Sequence, residues 1–280
     1  MRVQILAVPY DSGRRDVRMG RGPARLLERG LEAVWTAHGH HVATEWIEVH
    51  TADAGDVRTS FDLYAALAAR VRAAHADNRF PFVIAGNCGV TIGALAGLSD
   101  VRAAVVWFDA HGDFNTPETS TSGFLDGMAL AILTGRCWRP LAESIPGFSP
   151  VPETRVALVG VRELDAPEAD ALAASGVHRV GVNVTALADL FPDATAAWLH
   201  VDLDVLDAAE GRANQFATTG GLTVSQLLET ITRLATRLSI VGASFTSYDP
   251  AADGDGRIGD AALRLAEALA KGLPFAPTSI

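Results

Sequence analysis

Short apolar runs alternate with helical patterns along the chain, and this alternation constrains the fold more than any other feature. Runs such as Val3 to Val8, Phe82 to Ala85 and Ala103 to Phe108 have the length and composition of strands buried on both faces. Between such runs, Phe61 to Ala76 and Val224 to Leu238 are predicted to be helices. The alternation predicts a parallel sheet covered by helices, and it is compatible with either an open sheet or a (β/α)8 barrel.

Two of the predicted strands end in acidic clusters. Asp109, His111 and Asp113 follow the run Ala103 to Phe108, and alternate side chains of an extended backbone lie on one face. Asp202 and Asp204 repeat this arrangement after a second apolar run. Four carboxylates at two strand ends repel one another strongly unless cations lie between them. Together the clusters predict a two-metal site, whereas each cluster by itself is also compatible with a strand-end turn or a helix cap.

Composition narrows the class of protein. The chain has 280 residues, of which 49% are hydrophobic and 20% charged, so it is long enough for a well-packed α/β domain. We expect one domain over residues 1–280, because no linker or internal repeat interrupts it. A net charge of −10 argues against binding to nucleic acid or an anionic membrane. Two cysteines, with neither a signal-peptide core nor a membrane-spanning apolar stretch, predict a soluble cytoplasmic protein.

Four further segments are assigned from their local sequence. Val42 to Val49 and Ala196 to Val205 are expected to be strands. Pro140 to Pro152 is expected to be a proline-rich loop. The histidines His38, His40 and His41 are expected to form a solvated helix end rather than a metal site.

Three spaced motifs resemble the signatures of the arginases within the ureohydrolase superfamily, which also includes the agmatinases. The first is Asp109-Ala110-His111-Gly112-Asp113 with Asn115-Thr116-Pro117 and Thr121-Ser122-Gly123. The second is His200-Val201-Asp202-Leu203-Asp204-Val205-Leu206-Asp207, followed by Gly220-Gly221-Leu222-Thr223. The third, Gly86-Asn87-Cys88-Gly89, is similar to the Gly-Asp-His stretch of that family with two changes. The likeness extends in order from Pro9 through Pro250.

This resemblance implies a single-domain, three-layer α/β/α fold with a central, mostly parallel sheet. It also implies two Mn²⁺ ions that activate water for attack on a guanidino carbon. By position, Asp109 and Asp202 would bridge the metals, Asp113 would bind the first, and His111 with Asp204 would bind the second.

The chain departs from the family at the first metal. Where arginases have a histidine ligand this chain has Cys88, and the neighbouring aspartate of the family is Asn87. A thiolate can coordinate metal, but soft sulfur suits zinc or copper better than manganese. Cys88 is equally compatible with a small buried residue that binds nothing. In either case we expect the first site to be weaker or partly occupied.

Two further departures concern catalysis. Arginases have a proton-shuttling histidine just before Gly127, and this chain has Asp126 there. A carboxylic acid with a raised pKa can carry a proton, although Asp126 is also compatible with a helix N-cap before Met128. The glutamate that pairs with the substrate guanidinium corresponds to Ser247. The predicted site has therefore lost a countercharge.

The residues expected to hold the other end of the substrate are those of the family. They stand where arginases bind the α-carboxylate and α-amino groups of the substrate. The residues are Asn115, Ser122 and Asp165, with Glu168 and the nearby Ser120. Ordinary loop and turn chemistry also favours Asn and Ser in this segment. An amine-only substrate such as agmatine does not need a carboxylate site, so an α-amino acid is expected.

Loss of the glutamate should weaken binding of arginine, because its guanidinium is always cationic and pairs best with a carboxylate. We therefore expect Nω-hydroxy-L-arginine, whose guanidine is less basic, to give L-ornithine and hydroxyurea. A variant arginase, or a hydrolase of another guanidino or formimino amino acid, is the alternative enzyme. A degenerate ureohydrolase that serves as a metal-binding or scaffold protein is the alternative of another class. We expect a monomer or a weak homo-oligomer, since the chain ends soon after its last predicted helix.

Overall fold

The computed structural model describes residues 1–49, 55–98, 103–182 and 187–273. Its strands in chain order are β1 (Arg2–Val8), β2 (Tyr10–Asp11), β3 (Arg14–Arg15), β4 (His41–Trp46), β5 (Arg79–Ala85), β6 (Ala104–Phe108), β7 (Val156–Val159), β8 (His178–Val180), β9 (Ala196–Asp202) and β10 (Ser239–Thr246). Its α-helices are α1 (Gly22–Glu28), α2 (Leu31–Ala37), α3 (Asp56–Ala76), α4 (Val90–Gly97), α5 (Ala129–Leu133), α6 (Arg139–Glu143), α7 (Ala166–Ala173), α8 (Val224–Arg237) and α9 (Arg257–Gly272).

Eight of these strands form one sheet in the order β4-β1-β5-β10-β9-β6-β7-β8, and every neighbouring pair is parallel. Strands β4 and β8 are its two edges among the described residues, so the sheet is open and the barrel alternative is wrong. The short strands β2 and β3 form a separate antiparallel pair. The predicted α/β class is confirmed.

Helices cover both faces of the sheet, which makes three layers around two packed interfaces. Along β1, Val3 and Ile5 pack with residues of α1, α2, α8 and α9 on one face. Leu6 and Val8 point to the other face and pack with residues of α3 and α4. Because both faces of the strands are buried, their sequences are continuous apolar runs and do not alternate between apolar and polar residues. The three-layer, single-domain fold predicted from the resemblance is confirmed.

Local sequence signals set the ends of several helices. Helix α8 begins with a capping box in which Thr223 Oγ1 accepts from Gln226 N, and Gln226 Oε1 accepts from Thr223 N. Proline lies in the first turn of α1, α6 and α7, where its missing N–H costs no helical hydrogen bond. No helix within the described part of the chain is long and apolar enough to cross a membrane.

Three predictions about local structure were wrong in detail. The predicted loop Pro140 to Pro152 contains the end of α6, because Pro140 starts a helical turn. The predicted strand Ala196 to Val205 ends at Asp202, whose Oδ1 accepts from Asp204 N at 2.8 Å and turns the chain. His40 is buried rather than solvated, since α9 packs over it and its Nε2 lies 2.8 Å from Ala270 O.

Candidate active site

Four strands at the centre of the sheet bring the predicted site residues to one edge. Cys88 follows β5, Asp109 follows β6, Asp202 ends β9 and Ser247 follows β10. These four strands are contiguous in the order β5-β10-β9-β6, and in a parallel sheet their carboxyl ends lie on the same side. This is the edge at which open α/β sheets bind ligands.

His111 lies between two buried carboxylates. Its Nδ1 is 3.4 Å from Asp109 Oδ1 and 3.4 Å from Asp204 Oδ2. Burial acts to lower the pKa of His111, but the hydrogen bonds with Asp109 and Asp204 raise the pKa to about 12. The pKa of Asp204 is lowered despite its burial, because the His111 ring faces it. One ligand atom from each of these residues lies within 4.8 Å of the others, so together they can hold one metal ion.

Among the described residues, Asp113 and Asp202 form no such pair with a histidine. Burial, followed by repulsion from neighbouring aspartates, raises the pKa of Asp113 and of Asp202 well above the usual value. Oδ2 of Asp113 is buried with no hydrogen-bond partner among the described residues, and Asp113 adopts a left-handed φ of 50°. A cation supplies both the missing ligand and the missing charge, so this donor set suits a divalent metal.

Cys88 is 2% exposed and contacts the same cluster. Its thiol donates to Asp202 Oδ2 at 3.0 Å, and Sγ lies 3.2 Å from Thr246 Oγ1 and 3.4 Å from Ser247 Oγ. Burial, and then the charge of Asp202, raises the pKa of the Cys88 thiol well above its usual value. Sγ also lies within 4.8 Å of a carboxylate oxygen of Asp109 and of a ring nitrogen of His200.

Asp126 caps helix α4 from a distant segment, a contact that no sequence pattern indicates. Its carboxylate accepts from Cys88 N at 3.1 Å, Gly89 N at 2.9 Å and Asn87 Nδ2 at 2.8 Å, at the N-terminus of α4. The alternative of an N-cap before Met128 is wrong, since no side-chain cap is formed there. Burial raises the pKa of Asp126 to about 7, against the opposing effect of these hydrogen bonds.

One cavity of about 430 Å³ opens onto this cluster. The predicted site residues that line it are Cys88, His111, Asp113, Asn115, Ser122, Asp126, Asp165, Glu168, Asp202, Asp204 and Ser247. Asp109 is 1% exposed and lies in the wall behind this surface, within the cluster of His111 and Asp204. Ser120 does not line the cavity but accepts from Gly123 N at 3.0 Å, in the turn that presents Ser122.

The other polar groups that line the cavity are held by the loops around them. Glu168 Oε1 accepts from Phe114 N at 2.8 Å, and Asn115 Nδ2 lies 3.5 Å from Asp165 Oδ2. Burial raises the pKa of Glu168. Carboxylates and a primary amide lie close together here, and such groups can bind an ammonium and a carboxylate group respectively.

Sequence reasoning missed residues that support the cluster from distant loops. Asn214 Nδ2 donates to Asp204 Oδ2 at 3.1 Å and to Ser247 O at 2.9 Å. Arg162 donates to main-chain oxygens of the segments that follow β7 and β9, and the shortest of these bonds reaches Asp204 O at 2.8 Å. Phe216, at the mouth, lies 6.2 Å from the His111 ring, centroid to centroid. None of the three belongs to a sequence pattern that indicates these contacts.

Comparisons with known proteins agree with this arrangement. The family model described as "Arginase family" matches residues 1–271. The arginase of Bacillus caldovelox is 35% identical over 201 residues, which covers 67% of each chain. The arginase of Bacillus subtilis strain 168 is 30% identical over 216 residues, covering 72% of this chain and 73% of that one. The crystal structure of arginase from Bacillus cereus superposes with a TM-score of 0.88 at 25% identity, over 100% of both chains. The chain belongs to the arginase family.

Proposed function

We propose that the chain catalyses metal-dependent hydrolysis of the guanidino group of an arginine-type amino acid, with Nω-hydroxy-L-arginine as substrate and L-ornithine and hydroxyurea as products. Membership of the arginase family supports guanidino hydrolysis with metal in general. The observation that carries the finer proposal is the cavity itself. It joins the carboxylate cluster to the amino-acid-binding end, and it has Ser247 where a countercharge is expected.

The metal ligands follow from the donors at the strand ends. Asp109 and Asp202 would help to hold two Mn²⁺ ions, and His111 with Asp204 would hold the second of them. Asp113 and Cys88 are proposed to bind the first, which is the weaker position because sulfur is a poor partner for manganese. Bound ions of this kind supply an acidified water and a Lewis acid for the guanidino group.

Asp126 is proposed to move protons at this site. It is buried at the cavity wall, and its carboxylate lies beside Cys88 and not on the proposed second metal position. A group whose pKa lies near 7 can both accept and release a proton at neutral pH. Asp126 would pass the proton to the departing ornithine side chain.

Positioning of the substrate falls to the other end of the cavity. Asn115 and Ser122, with Ser120 behind it, are proposed to bind the α-carboxylate. Asp165 and Glu168 are proposed to bind the α-ammonium group. When the α-amino and α-carboxylate groups are held there, the extended side chain of the substrate places its guanidino carbon at the strand ends. The reacting groups are then held together instead of meeting by diffusion.

Ser247 is the basis of the choice of substrate. It is 3% exposed, lines the cavity and presents a neutral hydroxyl. A cationic guanidinium in this place lacks a bidentate carboxylate. Hydroxylation lowers the basicity of the guanidine and adds a group that can hydrogen-bond to Ser247 Oγ. The same conversion supplies hydroxyurea in D-cycloserine biosynthesis, and we propose that kind of pathway for this chain.

Experiment can distinguish this proposal from two alternatives. A variant arginase, or a hydrolase of another guanidino or formimino amino acid, would act equally well or better on a substrate without the hydroxyl. A degenerate homologue that keeps a metal and serves as a binding or scaffold protein would hydrolyse no guanidino amino acid. Burial of Asp109, Asp113, Asp202 and Asp204 together disfavours this alternative, because a homologue that no longer catalyses gains little from keeping so many mutually repelling groups.

The test is release of L-ornithine by Mn²⁺-loaded protein, with Nω-hydroxy-L-arginine and L-arginine at equal concentrations. We expect a kcat/KM at least about tenfold higher for the hydroxylated substrate, which corresponds to about 1.4 kcal/mol. The variant D204N, which keeps the shape of Asp204 but removes its charge, is the matched inactive control. Equal or faster hydrolysis of L-arginine would overturn the choice of substrate. No turnover of any guanidino amino acid would overturn the reaction.

A further inference from the structure

A buried polar layer lies directly below the carboxylate cluster. Trp107 of β6 and Ser244 of β10 are the register partners of His200 on β9. His200 comes two positions before Asp202, and Trp107 comes two positions before Asp109. Side chains two positions apart on a strand lie on the same face. His200 therefore lies beneath Asp202, on the same side of the sheet, and it is 0% exposed.

The two ring nitrogens of His200 have different surroundings. Nδ1 lies 2.8 Å from Thr91 Oγ1 and 2.9 Å from Ser244 Oγ, and the ring is stacked 3.8 Å from Trp107, centroid to centroid. Nε2 is buried and has no hydrogen-bond partner among the described residues. A buried polar atom without a partner destabilises the fold, because it has lost its hydrogen bonds to water without gaining others. An imidazole with one nitrogen held by hydrogen bonds and the other free is the arrangement of histidines that bind metal.

His200 does not stand alone. One of its ring nitrogens, Cys88 Sγ and a carboxylate oxygen of Asp109 lie within 4.8 Å of one another. All three residues are buried. Cys88 Sγ is also 3.0 Å from Asp202 Oδ2, so a fourth donor borders the group. Sulfur, nitrogen and oxygen together form a donor set that suits a tetrahedral ion of the zinc class better than Mn²⁺.

We propose that Cys88, His200 and Asp109 form a cysteine–histidine–carboxylate site for a borderline divalent ion such as Zn²⁺ or Co²⁺. The inference rests on the proposed function only in placing a metal centre at these strand ends. It revises the first of the two proposed ions: this ion is of the zinc class rather than Mn²⁺, and His200 and Asp109 hold it together with Cys88 in place of Asp113.

The second position keeps a different chemistry. His111, Asp109 and Asp204 offer one nitrogen and carboxylate oxygens with no sulfur, which suits Mn²⁺. Asp109 belongs to both groups and connects them. The chain would therefore hold two unlike ions rather than a matched pair.

Cobalt tests this directly, because a Co²⁺–thiolate bond produces a charge-transfer band in the near ultraviolet that oxygen and nitrogen ligands do not produce. The full-length protein is stripped of metal with a chelator and titrated with Co²⁺ alone. We expect the band to saturate at one sulfur-bound Co²⁺ per chain. In a parallel equilibration with Mn²⁺ and Zn²⁺ together, we expect about one zinc ion per chain to be retained.

Variants then identify the ligands. C88S should abolish the band, whereas C137S should leave it unchanged, because Cys137 is also buried but lies outside the group. H200Q keeps a hydrogen-bonding side chain and should weaken Co²⁺ binding at this site at least about tenfold. Should H200Q not fold, the variant H111Q serves instead. Its Co²⁺ form should retain a paramagnetically shifted imidazole resonance, which His200 supplies.

The outcomes separate this inference from the proposed function. Absence of the band in the unchanged protein, its survival in C88S, or unaltered Co²⁺ affinity in folded H200Q would overturn the site. Loss of every shifted imidazole resonance in H111Q would do the same. Hydrolysis of Nω-hydroxy-L-arginine is measured separately. A band without hydrolysis overturns only the proposed function, and hydrolysis without a band overturns only the deeper site.

Discussion

Asn214 and Asp204 are joined by a hydrogen bond of 3.1 Å from Nδ2 of the amide to Oδ2 of the carboxylate. The same Nδ2 donates to Ser247 O at 2.9 Å, and Asn214 Oδ1 accepts from Phe216 N at 2.8 Å. Ser247 has a left-handed φ of 63°, a strained conformation that surrounding contacts must hold in place. The hydrogen bond to its carbonyl oxygen is one of these contacts. One buried amide therefore holds a proposed metal ligand, the proposed specificity residue and the mouth of the cavity in place.

Replacement of Asn214 by Ala should weaken Mn²⁺ binding about 10- to 100-fold, because Asp204 loses the group that orients it. The measurement is a Mn²⁺ titration followed by calorimetry, with circular dichroism to check the fold. Q215A, at the exposed neighbouring residue, is the matched control and should bind Mn²⁺ like the unchanged protein. Unaltered Mn²⁺ affinity in N214A would show that Asp204 is positioned without it.

Replacement of Ser247 by Glu should restore a countercharge for the guanidinium. We expect the ratio of kcat/KM for L-arginine to that for Nω-hydroxy-L-arginine to rise about tenfold or more, since charge-assisted bidentate pairs are about twice as strong as neutral hydrogen bonds. Ornithine release with each substrate measures the ratio. S247A adds no charge and should not improve hydrolysis of L-arginine. A folded S247E protein with an unchanged ratio would contradict the role given to Ser247.

Metal-free protein should lose stability as the pH rises from about 4 to about 7. Burial raises the pKa of Asp113 and Asp202, and raises that of Asp126 to about 7, above the value of about 3.9 in an unfolded chain. A raised carboxyl pKa contributes stability that is complete below the unfolded pKa and is lost as the pH passes the folded pKa. His200, whose pKa burial lowers to about 3, acts in the opposite direction below its unfolded value, and we expect the three carboxyl groups together to outweigh it. Thermal unfolding in a chelator at a series of pH values measures this slope.

Addition of Mn²⁺ should reverse that loss. At a free concentration one hundred times its dissociation constant, an ion that binds only the folded state adds about 2.7 kcal/mol to the free energy of unfolding. For a chain of this size this corresponds to a rise in Tm on the order of 5 °C. The gain should be largest near pH 7, where the carboxylates are ionised, and should shrink toward pH 4. A Tm that rises with pH in the chelator would contradict the repulsion inferred from the buried cluster.

The observed helix-capping contact of Asp126 and its proposed role in proton transfer can be separated by two substitutions. D126A leaves the buried N–H groups of Cys88 and Gly89 without an acceptor, so we expect a loss of about 1–3 kcal/mol in the free energy of unfolding. D126N keeps one acceptor oxygen and should lose less stability, yet its kcat should fall about 100-fold or more because it carries no transferable proton. Urea denaturation and steady-state kinetics measure the two effects. Full activity in D126N would place the proton transfer elsewhere.

Much of the fold follows from short-range patterns. The apolar run before Asp109 predicts a buried strand, and the spacing of Asp109, His111 and Asp113 predicts side chains that converge. The family could also be identified from motifs that lie in single stretches of chain. The helix ends that sequence reasoning placed wrongly, such as the start of α3 at Asp56 rather than Phe61, lie where polar residues make the pattern weak.

The sequence by itself determined the fold class, the family and the cluster of carboxylates at two strand ends, because each depends on residues within a few positions of one another. Only the tertiary structure decided which distant groups complete that cluster. Asp126 caps a helix 37 residues away, at Gly89, and Thr91 orients His200 across 109 residues. Asn214 reaches Ser247 across 33 residues. These contacts depend on the order of strands in the sheet and on how helices pack against it, which no local pattern specifies.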